Sequence, residues 1–476
     1  MTVSTIPLIL DNKDVVTPTT FAVNSPGTGT LVHQCSSASV DHVQRAADSA
    51  HAAFKHWSKT KPAVRRDIML RAAEIYLRRK EELLGYCAEE TGSSGPFPEL
   101  TFGLSHQLLK DVAGRAADIE GVVPQLVEDG QSAIVYKVPY GVILSMVPWN
   151  APFPLGMRAI VLPLMAGNTV VLKASELSPK TFWGIVDVFR EAGLPDGCLN
   201  LVYIRPSDAA EVTTALIAHP AVRKVNFTGS TLVGSIIAST AGKYIKPVLL
   251  ELGGKASSLV LDDADLKNAA TQCVLGAFLN AGQICMSTER IIVQRAVAEK
   301  FRSILVETME NMYHHEVPSP VLINAAPVAK NKKLVSDALS RGAGIVHGDP
   351  HREESSDTRM KPVILENVTP DMDIHATESF GPTVALFVVD TEDEAIELAN
   401  DTEYGLTSAV FTTSLGRGLR VAKQIESGAV HINSLTVHDE PGLPHGGLKK
   451  SGFGRFGGTS GLNEFLTTKS VTWMDI

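Results

Sequence analysis

The sequence predicts an α/β fold in two domains, the first built on a parallel sheet covered by helices on both faces. Three observations carry this. From Gly141 onward, apolar β-rich runs alternate with capped helical segments, the pattern of a parallel sheet buried on both sides. After Cys285 a second set of alternating elements begins. The chain of 476 residues is also too long for one simple core, so two or more domains are expected.

The elements follow in order. Val40, Val43, Ala47, Ala50, Phe54 and Trp57 recur at helical spacing and predict an amphipathic helix. A second helix starts near Pro62, with the proline suited to a first turn. Strands are expected in "GVILSMV", "NTVVLKA", "LNLVYI", "KVNFTG" and "PVLLELGG". Between them, one helix takes Ser178-Pro179 as cap and first turn and ends at Gly193; another opens at Asp208 with Glu211 as reciprocal cap. The second set comprises "RIIVQ", "KPVILE", "TVALFVV", a helix capped by Thr391 against Glu394, and "GAVHIN". The stretch from about Asp118 to Val138 and the C-terminal tail fit neither set. The polar run His347 to Arg359 reads as a solvated loop, and no internal repeat is found.

A hydrophobic share of 44% with 20% charged residues marks an ordinary globular chain. The net charge of −9, from 43 basic against 52 acidic residues, argues against nucleic acid or an anionic membrane as partner. The N-terminus lacks a basic region followed by an apolar stretch, no apolar run reaches the ~18 residues of a membrane span, and the closing Met-Asp-Ile matches no address signal. The five cysteines, Cys35, Cys87, Cys198, Cys273 and Cys285, are scattered without a CxxC pair. A disulfide framework and a structural metal site are therefore disfavoured, and a reduced, cytoplasmic setting is expected. Cys273 lies in an apolar helical pattern and reads as an inert core thiol. Cys285 lies beyond that helix, just past Asn280-Ala281-Gly282. Nucleophile and plain loop thiol both fit it at this point.

Two glycine motifs compete for a phosphate. Gly452 to Gly457 matches GxGxxG, but it follows a Gly/Lys-rich loop and has too little chain after it for a βαβ unit. It reads as a loop. Gly229 to Gly234 follows the strand "KVNF" and opens a helix, whose N-terminal amides attract anions. It lacks a P-loop lysine, which disfavours phosphoryl transfer.

The motifs "MVPWNAP", "VVLKASE", "FTGSTLVG", "LELGGK", "NAGQIC", "ESFGP" and "GGLKKSGFGR" occur in one order along the chain. In that order the sequence resembles the NAD(P)-dependent aldehyde dehydrogenase superfamily over essentially its whole length. The resemblance implies a Rossmann-type NAD-binding domain (1–117 and 140–251), a second α/β catalytic domain (252–442), and a small β extension for oligomerisation (118–139 and 443–476). A homodimer or homotetramer is expected. It also implies that Cys285 is the nucleophile, Asn150 a donor to the oxyanion, and Glu251 the base that activates the hydrolytic water. That role for Cys285 calls for a thiol acidified by amide dipoles at its turn. Lys173 and Glu176 match the pair that holds the adenosine ribose, and a carboxylate at Glu176 favours NAD over NADP. Ser230 matches the pyrophosphate contact; Glu378 and Phe380 match the residues at the nicotinamide ribose and ring. Trp149 matches a residue of the cofactor channel, while Gly229 and Gly254 would serve close backbone approach.

Some positions depart from the family's common form. Past "PWN", an aromatic and a lysine are replaced by Arg158 and Ala159, and "PFGG" becomes "PHGG" with His445. "WNAP", "MRA" and "TVHDE" resemble the branch acting on salicylaldehyde, benzaldehyde and vanillin. By position, Leu155, Ile284, Met286, Thr436 and Val437 would line an apolar aldehyde tunnel. Arg158 would either meet a ring hydroxyl or turn away to pair with an acidic residue. A CoA-acylating enzyme would not need Glu251, and an inactive structural homologue would be free to lose Cys285, Glu251 or Asn150. Aliphatic aldehydes and semialdehydes are the alternative substrates.

Overall fold

The apolar runs between Gly141 and Glu251 become neighbouring strands. Val142–Met146, Thr169–Lys173, Leu199–Val202, Val222–Thr228 and Val248–Glu251 pair in parallel. Their residues are nearly all buried, each aliphatic side chain contributing roughly 1.5–3 kcal/mol, so the signal in the sequence is continuous and not alternating. This is a computed structural model, and it describes residues 4–314 and 316–475. Residues 1–3, 315 and 476 lie outside it, and with them the extreme ends of the terminal stretches considered above.

Val142–Met146 sits inside the sheet with Val222–Thr228 on one side and Thr169–Lys173 on the other. The strand order therefore reverses there, and the crevice at the carboxyl ends of such strands is where ligands bind. Those ends carry Trp149 and Asn150, Gly229 and Ser230, and Glu251. Leu8–Leu10 and Lys13–Val15 extend one edge of the sheet, and Gly452–Phe453 the other. That last pairing corrects the reading of Gly452 to Gly457 as a plain loop: Phe453 and Gly452 pair antiparallel with Leu250 and Glu251.

Among the described residues the second sheet has seven strands, in the order Gly344–His347, Val363–Glu366, Thr383–Val389, Thr288–Gln294, Ala256–Val260, Thr407–Phe411 and Ala429–Ile432. All pair in parallel except the first. The two stretches that fitted neither set meet each other: Gln131–Pro139 pairs antiparallel with Leu466–Met474 in a separate two-stranded ribbon.

The amphipathic helix spans Val40–Trp57 and buries Val43, Ala46, Ala47, Ala50 and Trp57. The helix Glu392–Asn400 has the reciprocal cap between Thr391 and Glu394. Two other caps differ from expectation. Ser178 precedes the helix Pro179–Glu191 without a side-chain cap. Instead the buried Glu90 accepts from the amides of Lys180 and Thr181 at 2.7 and 2.9 Å. Asp208 does not cap Ala209–Ala218, because Arg205 Nε at 2.7 Å and Ser207 Oγ at 2.9 Å take its carboxylate.

Candidate active site

The helix Leu266–Phe278 ends in a left-handed turn. Asn280, Ala281 and Gly282 have φ of 51°, 60° and 72°, which L-residues with side chains adopt at a cost. A Cβ at Gly282 would lie 2.2 Å from the Gly381 carbonyl oxygen. Side chains hold the turn. Ser93 Oγ donates to Asn280 Oδ1 at 3.0 Å, and Asn280 Nδ2 donates to the Asn150 carbonyl at 3.2 Å. Gln283 Nε2 donates to the carbonyls of Asn280 and Val321 at 3.0 and 3.2 Å. Asn150 Nδ2 donates to the Gln283 carbonyl at 3.0 Å. The strand end bearing Asn150 and the loop bearing Cys285 are thus locked together.

Cys285 Sγ lies 3.1 Å from Glu251 Oε1 and donates to it. Arg158 Nη2 reaches the other oxygen at 3.0 Å, and its guanidinium stacks 4.2 Å over Phe456. Of the two alternatives for Arg158, the acidic partner is therefore present, and it is Glu251. Arg158 still borders the cavity beside the thiol, with its buried Nε unpartnered. His445 Nε2 is 3.5 Å from Glu251 Oε1, and its Nδ1 is 3.8 Å from Asp439 Oδ1.

The electrostatics follow. Burial alone would push the Glu251 carboxyl up; Arg158 first, then His445 and Cys285, outweigh it and hold it at about 2. Burial and then the Glu251 charge push the Cys285 thiol well above its ordinary value. This corrects the expectation of an acidified thiol: a carboxylate, and not amide dipoles alone, faces the sulfur. The resting pair is thiol and carboxylate.

Two cavities meet at this sulfur. One, of about 500 Å³, is walled by Leu155, Ile284, Met286 and Val437, with Ala151 beside Asn150. Thr436 is not in that wall: it is fully buried and bonds Thr288 Oγ1 at 2.9 Å. The helix Pro96–Gly114 supplies Phe97, Leu100 and Gln107 to the wall, a contribution no local motif announces. The other cavity, of about 540 Å³, is bordered by Trp149, Gly229, Ser230, Gly253, Glu378 and Phe380. Asn150, Leu155, Glu251 and Cys285 border both.

The second cavity has features that suit a dinucleotide. Ser230 caps the helix Thr231–Lys243, whose first-turn amides can face a pyrophosphate. A Cβ at Gly253 would fall 2.7 Å from Glu378 Oε2, so a side chain there would displace the Glu378 carboxylate. Gly254 donates to Glu378 Oε1 at 2.8 Å, and its own Cβ would meet the Cys285 carbonyl at 2.3 Å. Gly254 therefore packs against the thiol loop, and Gly253 takes the cavity-facing place expected of it. Burial raises Glu378 to about 7, against the Gly254 N–H. The loop bearing Glu378 and Phe380 is anchored by buried Glu289, which accepts from Ser379 N at 2.8 Å and Lys255 Nζ at 2.7 Å. Trp149 and Phe380 meet edge to face with centroids 6.2 Å apart. Lys173 and Glu176 lie outside this cavity, 3.5 Å apart at the end of Thr169–Lys173.

The model of the aldehyde dehydrogenase family matches residues 14–471, and the chain belongs to that family. It is 41% identical to a vanillin dehydrogenase of Pseudomonas fluorescens over 95% of this chain and 94% of the relative. It is 38% identical to a salicylaldehyde dehydrogenase of Pseudomonas putida over 95% and 94%. The crystal structure of a salicylaldehyde dehydrogenase from Pseudomonas putida G7, complexed with salicylaldehyde, superposes with a TM-score of 0.95. It is 36% identical and covers 99% of this chain and 98% of that one.

Proposed function

We propose that this aldehyde dehydrogenase oxidises aromatic aldehydes to carboxylic acids with NAD, through a thioester on Cys285. The observation that carries the reading is the 3.1 Å contact of Cys285 Sγ with Glu251 at the waist joining the two cavities. Glu251 takes the thiol proton, and the sulfur adds to the aldehyde carbon. The carbonyl oxygen, now anionic, is received by Asn150 Nδ2 and the Cys285 amide. A nicotinamide held in the second cavity by Trp149, Glu378 and Phe380 would supply the acceptor for the hydride that the thiohemiacetal carbon loses as it becomes a thioester. Glu251 passes the thiol proton on to solvent and is ionised again. It then removes a proton from water, the water oxygen attacks the thioester carbon, and the C–S bond breaks to release the acid, with Cys285 leaving as thiolate.

Ser230, Gly229 and the helix they open would hold the pyrophosphate, with Trp149, Glu378 and Phe380 placing the nicotinamide end. Lys173 and Glu176 would hold the adenosine ribose. NAD is preferred because a 2′-phosphate would meet the Glu176 carboxylate. Aromatic substrates are supported by the aliphatic walls and the small Ala151 beside Asn150, and by the named activities of the relatives. Residues 1–117 and 140–251 would serve the cofactor and 252–442 the chemistry. Segments 118–139 and 443–476 would join copies into a homodimer or homotetramer; their ribbon exposes Tyr136, Val471, Trp473 and Met474.

The test follows nicotinamide absorbance on benzaldehyde, salicylaldehyde, vanillin, acetaldehyde and succinate semialdehyde, with and without CoA. Aromatic aldehydes are expected to have the higher kcat/KM, with no CoA requirement. Faster oxidation of the aliphatic pair overturns the aromatic reading. Glu251→Gln is expected to acylate more slowly and then stall near one NADH per site, with the acyl adduct on Cys285 seen by mass spectrometry. Undiminished steady turnover rules out Glu251 as the base.

A further inference from the structure

Arg158 and His445 both act on Glu251, and they do so differently. Arg158 holds Oε2 at 3.0 Å and carries a permanent charge. His445 faces Oε1, the same oxygen that faces the sulfur. That oxygen is the one placed to receive the proton from water attacking a thioester on Cys285. A protonated imidazole has donors on both nitrogens, and here each nitrogen faces a carboxylate: Glu251 at 3.5 Å and Asp439 at 3.8 Å. The main chain that carries the ring is held in place, because the His445 backbone is paired in both directions with Phe456 at 2.7 Å. It is also buried.

Building on the assignment of Glu251 as deacylation base, we propose that His445 is a positioning residue acting through Glu251. Its protonated ring engages Oε1 through Nε2–H and restrains the base; loss of the Nε2 proton to solvent, with Nδ1–H kept toward Asp439, frees Oε1 to take the proton of the attacking water. The bonds balance without another reactant. The water proton passes to Oε1, the water oxygen bonds to the acyl carbon, the C–S bond breaks and Cys285 leaves as thiolate. His445 neither gives nor takes a proton in that step; its charge state sets how available Oε1 is.

Glu251 and Asp439 face the two ring nitrogens, and Arg158 lies behind Glu251. Cys285, Glu440 and His438 border the same cavity, His431 lies beside His438, and Arg455 packs against the adjoining Gly446. In the acyl-enzyme Cys285 is a thioester and no longer titrates. Burial, then His438 and His445, hold His431 down to about 4. Substitution of His445 separates its effect on acyl-enzyme hydrolysis from that of the neighbouring histidines.

The experiment forms the acyl-enzyme from benzaldehyde and NAD, then follows its decay from pH 5 to 9 by rapid quench and mass spectrometry. The wild-type rate is expected to rise through one ionisation in that range. His445→Phe removes the charge and keeps a planar ring, so its rate should be flat across this ionisation and exceed the wild type at pH 5.5. The excess is about 3- to 30-fold if an opposite charge shifts base strength by ~1–3 units and half of that reaches the rate. Asp439→Asn leaves the ring in place and should move the ionisation to lower pH, which keeps the test decisive if His445→Phe fails to fold. Superimposable profiles for the wild type and either variant overturn the proposal. Glu251→Gln distinguishes the layers. If it hydrolyses the adduct at the wild-type rate, the assignment of Glu251 fails and this one with it. If it stalls while the profiles superimpose, this inference alone fails.

Discussion

Replacing Arg158 with methionine isolates the strongest interaction in the site. The guanidinium stands 3.0 Å from Glu251 Oε2, and the two side chains are 5% and 1% exposed. Removing one partner of such a pair strands a buried charge, which typically destabilises by ~3–5 kcal/mol. The sign with pH follows from Glu251. Its carboxyl is held at about 2 against an ordinary 4.5, a depression that contributes roughly 3 kcal/mol. That stability is present above about pH 4.5 and fades as pH falls towards 2. In Arg158→Met, burial still raises the carboxyl while its largest opposing influence is gone. The variant should therefore lose stability at neutral pH and recover part of it as Glu251 protonates. Denaturant midpoints at pH 7.5 and 4.5 read this directly: the gap from wild type should be large at the first and smaller at the second. A gap that is absent, or equal at both pH values, refutes the pairing as an energetic unit. The same variant tests the cavity-facing role of Arg158. Its effect through Glu251 is common to all aldehydes, so a kcat/KM ratio of salicylaldehyde to benzaldehyde that falls reports the ring hydroxyl alone.

Two further substitutions check the remaining assignments. Cys285→Ser should reduce turnover below a few per cent of wild type while NAD binding, measured by calorimetry, is retained, because a serine hydroxyl is a far weaker nucleophile at this carboxylate; retained turnover removes Cys285 from the chemistry. Glu176→Gln should raise the NADP-to-NAD ratio of kcat/KM by about 5- to 30-fold, the equivalent of ~1–2 kcal/mol for one charge contact. An unchanged ratio removes Glu176 as the selector.

The parts of the fold legible in the sequence were those whose physics is local. Val142–Met146 is buried along its whole length, so its apolar run had one reading. Ala256–Val260 and Thr407–Phe411 are just as buried, yet "ASSLV" and "TSAVF" carry small and polar residues. Their strand character comes from neighbours on both sides and not from their own pattern. Caps divide in the same way. Thr391 and Glu394 are three residues apart and were legible. The cap from Glu90 crosses about 90 residues of chain and left no trace. In the site, Gly282 marked a turn ahead of Cys285, but Glu251, Arg158, Cys285 and His445 come from four separate segments whose meeting no spacing reveals. Thr436 and Val437 show the limit of assigning walls by position. They are adjacent in a bent segment, and only Val437 faces the cavity.

The disposition of protons explains why one carboxylate needs so much support. A thiol pushed up by burial and by Glu251 is a poor nucleophile at rest, which protects a solvent-reachable sulfur from adventitious oxidation. The acceptor within reach is Glu251 Oε1 at 3.1 Å, so in the proposed reaction Glu251 must be ionised when the aldehyde arrives. It must be ionised again when water arrives, after the sulfur has become a thioester. Burial opposes ionisation both times. Arg158 on Oε2 answers that requirement, because its charge persists at every working pH. Its drawback is a weakened base, since the charge that keeps Glu251 ionised also lowers its affinity for the proton it must collect. A second, titratable contact on Oε1 can be relaxed where a guanidinium cannot. This asymmetry between the two oxygens is the physical reason to look for pH control at His445 and not at Arg158.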